Sequence, residues 1–257
     1  MGSGWDSMAT PNVLVLYGHG INCDRETAYG FELAGANAER VHLNTLKDGD
    51  DSIRDYQILA LPGGFSYGDD IHAGKILAVE LNYKLGDDLR RFIDDGKLII
   101  GICNGFQAQV KSGMLPATDG DYRKQTVTLT DNDSGRFIDN WVYLEANPES
   151  PCVFTRGVDG IYLPIRHGEG KFVPGPGILE KLKENNQIAF RYKPGCNPNG
   201  SIDDIAGICD PTGRIFGMMP HPEAFLFPEN HPRWTREKVT VEDTGRRIFQ
   251  NAVDYWK

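Results

Sequence analysis

The strongest constraint in this chain is a set of short apolar runs, each stopped by a glycine-bearing turn and separated by segments of helical spacing. Residues 13–17 (Val-Leu-Val-Leu-Tyr) run into Gly-His-Gly, residues 56–61 into Pro-Gly-Gly, and residues 97–102 (Lys-Leu-Ile-Ile-Gly-Ile) into Cys-Asn-Gly. Runs of this length are strand-sized, and a strand apolar along its whole length must be covered on both faces. Between them, residues 24–33 read as a helix, with Asn22 or Asp24 placed to cap it and Gly35 near its end. Residues 38–43 suit a second strand. Residues 76–95 carry Leu77, Leu81, Leu85, Leu89 and Phe92 at helical spacing and stop at Gly96. Strands alternating with helices predict an α/β fold around a parallel sheet.

Beyond Met114-Leu-Pro the texture changes. Residues 125–130, 137–144 and 161–165 are strand-like and separated by Asn, Asp, Gly and Pro, with the clearest turn at 131–135. These predict hairpins or extended strands added to one side of the same domain. Residues 188–192, 205–209 and 215–219 are further strands, and a helix is expected around 240–255. No repeat or low-complexity linker interrupts the chain, so residues 12–257 are expected to form one domain. Residues 1–11 are set apart as a disordered or artificially appended start.

Composition closes off several classes of function. No apolar stretch approaches the roughly 18 residues of a membrane span, and the start has neither a basic nor an apolar leader region. A formal net charge of −9 argues against a general nucleic-acid binder. The cysteines at 23, 103, 152, 196 and 209 form no C-x-x-C pair and no zinc-ligand spacing. No metal site is expected, and the thiols read as reduced ones of a cytoplasmic protein.

Gly101-Ile-Cys-Asn-Gly105 sits between an apolar strand and an apparent helix at 106–111. That is the strand–turn–helix setting of a nucleophile elbow, with Cys103 in place of serine. Such a turn strains the central residue, needs small neighbours, and lifts the side chain above the carboxyl end of the sheet. The helix N-terminus favours the reactive thiolate. A buried structural cysteine at a glycine-rich strand end would produce the same short pattern.

A thiolate attacking an amide also needs an oxyanion hole and a proton donor. Leu61-Pro-Gly-Gly-Phe-Ser66 follows another apolar strand, so Gly64 and Phe65 are candidate N–H donors there, with the Asn104 N–H as a further one. Taken alone, Pro-Gly-Gly is an ordinary turn. Among six histidines, His221 lies between two prolines after a strand-like segment, with Glu223 placed to hold its tautomer. His231 beside Pro232 shows that such a match also arises in a surface loop. Residues 68–75, Gly-Asp-Asp-Ile-His-Ala-Gly-Lys, imitate a phosphate-binding loop, but five residues separate the glycines and Ile76 replaces the required hydroxyl. They read as a loop entering the next helix.

Together, Pro-Gly-Gly-Phe-Ser, Gly-Ile-Cys-Asn-Gly-Phe-Gln and Pro-His-Pro-Glu resemble the class I, triad-type glutamine amidotransferases. Asn22-Cys-Asp-Arg-Glu-Thr27, Gly63-Gly-Phe-Ser-Tyr-Gly-Asp69 and Arg166-His-Gly-Glu-Gly170 narrow this to the glutaminase subunits of phosphoribosylformylglycinamidine synthases, over residues 12–257. The resemblance implies a flavodoxin-like α/β fold, its mostly parallel sheet covered by helices on both faces and extended by β-hairpin strands. It implies Cys103 as nucleophile, His221 with Glu223 as base and partner, and Gly64, Phe65 and Asn104 as oxyanion donors. Gln107, His167, Gly168 and Glu169 are implied to line a glutamine pocket, although Gln107 also suits a plain helix position and residues 167–170 a tight turn. Residues 119–150 and 220–234 look longer than in the short bacterial form.

The activity implied is hydrolysis of glutamine through a cysteine thioester, with ammonia passed to a synthetase subunit, with or without a small third subunit. This chain would carry no cofactor, and ATP and magnesium would belong to the synthetase. A glutaminase serving another synthetase, a non-catalytic subunit on the same fold and a stand-alone cysteine hydrolase remain alternatives.

Overall fold

The computed structural model describes residues 10–48 and 52–257. The expectation of a disordered or appended start falls almost wholly on residues outside these. In chain order the elements are β1 (Asn12–Tyr17), α1 (Asp24–Leu33), β2 (Asn37–His42), α2 (Leu43–Asp48), β3 (Ile58–Leu61), α3 (Lys75–Asp94), β4 (Leu98–Ile102) and α4 (Asn104–Ser112). They continue with β5 (Val127–Thr130), β6 (Ile138–Ala146), β7 (Gly160–His167), β8 (Lys171–Pro174), α5 (Ile178–Glu184), β9 (Ile188–Tyr192), β10 (Ile205–Cys209), β11 (Ile215–Met218) and α6 (Arg246–Asp254).

One nine-stranded sheet runs β2-β1-β3-β4-β11-β10-β9-β6-β7. From β2 to β11 the pairs are parallel. This half has the flavodoxin-like strand order, and β3 and β4 are buried at every position, as their unbroken apolar sequences require. The chain steps outward one way from β1 to β2 and the other way from β3 to β4. Right-handed crossovers therefore put α1 and α3 on opposite faces. α6 packs with α1, and α4 packs with α3, completing the two layers.

From β11 onward every pairing is antiparallel. The added strands thus extend one edge of the parallel sheet, with β6 and β7 paired along their length. One expected strand departs from this plan. β5 pairs with β8 in a separate two-stranded sheet and lies against α4. Its burial alternates, so only one of its faces is covered.

Three local differences have simple causes. α2 and α5, six and seven residues long, are too short to establish an apolar period. The N-cap of α1 is Cys23, with no side-chain cap bond, in place of Asn22 or Asp24. The C-terminal helix begins at Arg246. Thr240 and Asp243 close a separate 3-10 turn upstream of it, and the Gly245 N–H donates to the Phe225 carbonyl at 2.7 Å. That bond ties the helix to the segment after His221. Among the described residues no helix is long and apolar enough to cross a membrane.

The approach of α4 to the sheet is the tightest feature of the core. A Cβ built on Gly105 would lie 1.8 Å from the Leu61 carbonyl oxygen. Gly105→Ala should therefore lower stability by at least about 2 kcal/mol, although alanine is the better helix former by about 1 kcal/mol. A urea midpoint equal to or above that of the wild type would contradict this packing.

Candidate active site

Cys103 occupies the single position between β4 and α4. Its φ of 50° and ψ of −104° place a non-glycine residue in a backbone region that L-residues avoid. The turn is pinned on both sides, because the Cys103 N–H donates to the Met218 carbonyl on β11 at 2.8 Å and its carbonyl accepts from Gln107 N–H. Cys103 is 4% exposed, and its thiol points to the Arg166 carbonyl, with Sγ 3.6 Å away.

β11 leads through Pro220 to His221, whose N–H donates to the Pro164 carbonyl of β7 at 2.9 Å. His221 Nδ1 lies 2.5 Å from Glu223 Oε1, and both side chains are buried. Burial alone would depress the imidazole, but the Glu223 carboxylate and the Cys103 and Cys23 thiols hold its pKa well above the ordinary value. His221 Nε2 has no hydrogen-bond partner among the described residues. The ring lies over Gly63, where a Cβ would stand 2.8 Å from its Cε1 and 3.5 Å from the Cβ of Cys103. Nucleophile candidate, imidazole and carboxylate, widely separated in the chain, therefore meet at one rim of the sheet.

The predicted oxyanion donors fare differently. Gly64 has a φ of 149°, and a Cβ there would lie 2.4 Å from the Gly20 carbonyl. Its N–H has no acceptor among the described residues, and Asn104, as the first residue of α4, has none inside its helix. The Phe65 N–H, however, donates to Gly20 at 2.7 Å, so in this structure it is engaged by the loop after β1 and cannot face the site. The Asn104 side chain joins the two loops: Oδ1 accepts from the Ser66 N–H at 3.1 Å, and Nδ2 donates to Asp69 and Gln107, both at 3.0 Å.

The four predicted pocket residues border one cavity of about 130 Å³ that reaches Cys103. Gln107 Nε2 donates to the Glu169 carbonyl at 2.6 Å, so this side chain braces the wall it lines. The Gly168 carbonyl accepts from the Asn132 N–H. Glu169 Oε1 accepts from the Ala73 N–H at 3.1 Å, and Oε2 faces Lys111 Nζ at 3.5 Å. His167 is 2% exposed. Its Nδ1 lies 3.1 Å from Asn132 Oδ1, which also accepts from the Gly170 N–H, so Nδ1 carries the proton and the Nε2 lone pair has no partner among the described residues. Burial, with the nearby His221 charge, lowers the His167 pKa to about 4.

Several residues around the site escaped the sequence reading. Phe137 stands 6.1 Å from Phe65, ring centre to ring centre, at the cavity mouth, and Asp69 and Arg166 line the cavity. Cys23 brings its thiol into a cluster with His221 and Glu223, one ligand atom from each lying within 4.8 Å of the others. A metal held there would compete with the bond between His221 Nδ1 and Glu223. The only sequence signal for Asp69, Arg166 and Cys23 was their place inside the longer motifs, since isolated charged or thiol residues have no period to reveal them.

Comparison with known proteins shows the family to which a site of this kind belongs. A profile of the CobB/CobQ-like glutamine amidotransferase domain matches residues 10–256. Phosphoribosylformylglycinamidine synthase subunit PurQ of Dehalococcoides mccartyi is 49% identical over 255 residues, covering 96% of this chain and 98% of the relative. The subunit of the same name from Methanococcus maripaludis strain C7 is 44% identical over 266 residues, at 96% and 97% coverage. A chain in the structure of PurLQS from Thermotoga maritima superposes with a TM-score of 0.76 at 31% identity, covering 97% of this chain and 100% of that one. A Thermotoga maritima glutamine amidotransferase, 13% identical with a TM-score of 0.55 at 96% and 98% coverage, shares the fold.

The His167 environment sets a pH dependence. With a folded pKa of about 4 against the ordinary 6.5, the unfolded chain binds a proton that the folded chain refuses between these values. Stability linked to His167 is fully present above pH 6.5 and is lost as pH falls toward 4, by about 3 kcal/mol in all. In His167→Gln, urea unfolding between pH 4 and 6.5 should show a pH slope shallower by about one proton. An unchanged slope would mean that the ring is charged in the folded protein.

Proposed function

This chain belongs to the CobB/CobQ-like glutamine amidotransferases, and from that premise we propose that it is the glutaminase subunit of a phosphoribosylformylglycinamidine synthase in purine biosynthesis. The observation that carries the chemistry is the strained Cys103 at the head of α4, beside the buried His221–Glu223 pair.

The Cys103 thiolate attacks the side-chain carboxamide carbon of glutamine, and the Gly64 and Asn104 N–H groups receive the developing oxyanion. Protonated His221 gives its Nε2 proton to the departing nitrogen, so ammonia leaves and a γ-glutamyl thioester remains on Cys103. His221, now neutral, takes a proton from water, and the hydroxide releases glutamate and restores the Cys103 thiolate beside protonated His221. Glu223 holds the imidazole with Nε2 toward the thiol and stabilises the cation present before the first step and regenerated in the second.

Ammonia passes to the synthetase subunit, consistent with relatives named as subunits and with the PurLQS structure of the Thermotoga maritima relative. A small third subunit belongs to the same reading, as do ATP and magnesium held by the synthetase and a cytoplasmic setting. The bond from Phe65 N–H to Gly20 leaves one candidate oxyanion donor turned away. Docking of the synthetase that frees it would link ammonia release to demand, and the isolated chain is expected to hydrolyse glutamine slowly.

Cys103→Ala should cut glutamate release by the assembled complex at least about 10³-fold, while synthesis driven by added ammonia continues. Glu223→Gln should cost about 10²- to 10⁴-fold, because the imidazole loses its orienting acceptor. Equal glutamate release by wild type and Cys103→Ala would refute the assignment.

A further inference from the structure

We propose that Cys23, His221 and Glu223 form a binding site for a thiophilic divalent cation of the zinc type, and that an ion held there stops the hydrolysis of glutamine. That consequence rests on the glutaminase reading above; the binding site itself does not.

Among the described residues these three side chains are the one group of His, Cys, Asp and Glu whose ligand atoms come close enough to share an ion, all within 4.8 Å of one another. A tetrahedral zinc ion bonds sulfur at about 2.3 Å and nitrogen or oxygen at about 2.0–2.2 Å, which sets its ligands about 3.3–3.7 Å apart. Side-chain shifts of about 1 Å therefore close the site. Thiolate, imidazole and carboxylate together suit zinc, whereas magnesium and calcium take oxygen ligands. Three protein ligands leave a fourth position for water.

Two of the three residues have coordinating capacity that the fold leaves unused. His221 Nε2 and Glu223 Oε2 are buried, and neither has a hydrogen-bond partner among the described residues. The residues themselves are 2% and 3% exposed. A buried polar atom without a partner costs about 1–3 kcal/mol, and coordination would offset that cost.

Cys23 is held in place by its backbone. Its N–H and that of Asn22 both donate to the Gly63 carbonyl, at 3.1 and 3.2 Å, and its own carbonyl accepts from the N–H and the hydroxyl of Thr27. Gly63 is the residue over which the His221 ring lies, so the loop after β1 is stapled beside the imidazole. As N-cap of α1, Cys23 makes no side-chain cap bond, and the helix does not depend on the thiol. Cys23 is also the partly exposed member of the three, so a cation reaches the cluster past it. The ligands come from the loop after β1 and the segment after β11, which is why cysteine spacing along the chain conceals the site.

Coordination takes a thiolate and a neutral imidazole, so Cys23 and His221 each release a proton to water. The ion competes with the bond between His221 Nδ1 and Glu223, and it replaces the proton that the imidazole would hand to the departing nitrogen. Hydrolysis stops until the ion leaves, and the Cys103 thiol stays chemically intact.

The test uses cobalt(II) as probe on the full chain carrying Cys103→Ala, which removes the nucleophile as a competing ligand. This protein should show the absorption of a tetrahedral cobalt thiolate, lost on addition of zinc. Adding Cys23→Ser should weaken binding at least about 100-fold, since loss of even an outer partner of a metal ligand costs about 10- to 100-fold. Zinc should also shield Cys23 of Cys103→Ala from alkylation, mapped by mass spectrometry, a readout that needs no change at Cys23. In the complex with its synthetase, zinc should inhibit glutamate release until a chelator is added, while synthesis driven by added ammonia continues. Cobalt thiolate absorption that survives Cys23→Ser, or equal alkylation of Cys23 with and without zinc, overturns the site. Binding through Cys23 with undiminished glutamate release overturns the inhibitory role. If the complex releases no glutamate even without zinc, the glutaminase reading fails, and the cobalt and alkylation measurements still decide the site.

Discussion

The first turn of α4 lies on the carboxyl ends of β3 and β4 at backbone contact, with room for a hydrogen atom alone between Gly105 and the Leu61 carbonyl. That approach is why the residue before it turns through a φ that only glycine adopts freely, and why Cys103 emerges over the sheet rather than into it. A longer link would relax the backbone and let the thiol move. The strain stays because the Cys103 N–H is bonded to β11 and its carbonyl to α4, so both neighbours resist its release.

Around this point the two halves of the sheet divide the work. The parallel half supplies the elbow and the Gly64 loop at its carboxyl rim, where open α/β sheets place their ligands. The antiparallel half supplies a wall. β7 ends at His167 and offers the Arg166 carbonyl to the thiol, and its Pro164 carbonyl fixes the backbone of His221. The imidazole is thus held by the extension of the sheet and the thiol by its core. α6 closes the arrangement through the bond from Gly245 to Phe225.

Burial makes the electrostatics of the site strong. His221 and Glu223 are both removed from water, so each is tolerable mainly because of the other. Glu169, in the cavity lining, faces the mostly buried Lys111 in a second, less enclosed pair. His167 takes the other course and stays neutral, its proton committed to Asn132. Burial disfavours the charged form of both imidazoles; the Glu223 carboxylate overcomes it at His221, while His167 stays neutral.

What could be read without coordinates follows from periodicity and local geometry. Apolar runs such as 97–102 determine a buried strand, the leucines from 77 to 89 a helix face, and small residues around Cys103 a sharp turn, because each is dictated by neighbours in the chain. The parallel half of the fold and the candidate triad residues were therefore legible. α2 and α5 were too short to show a period, β5 found its partner in β8 far along the chain, and the cap of α1 fell to Cys23. Contacts between distant segments leave no local signature. That is why only the folded chain shows the Phe65 N–H bound to Gly20, Cys23 beside His221, and Asp69 bonded to Asn104 at the cavity wall. The linear sequence determined which groups could do the chemistry, and tertiary packing decided which of them face one another and with what charge, since burial and proximity exist only once the chain has closed on itself.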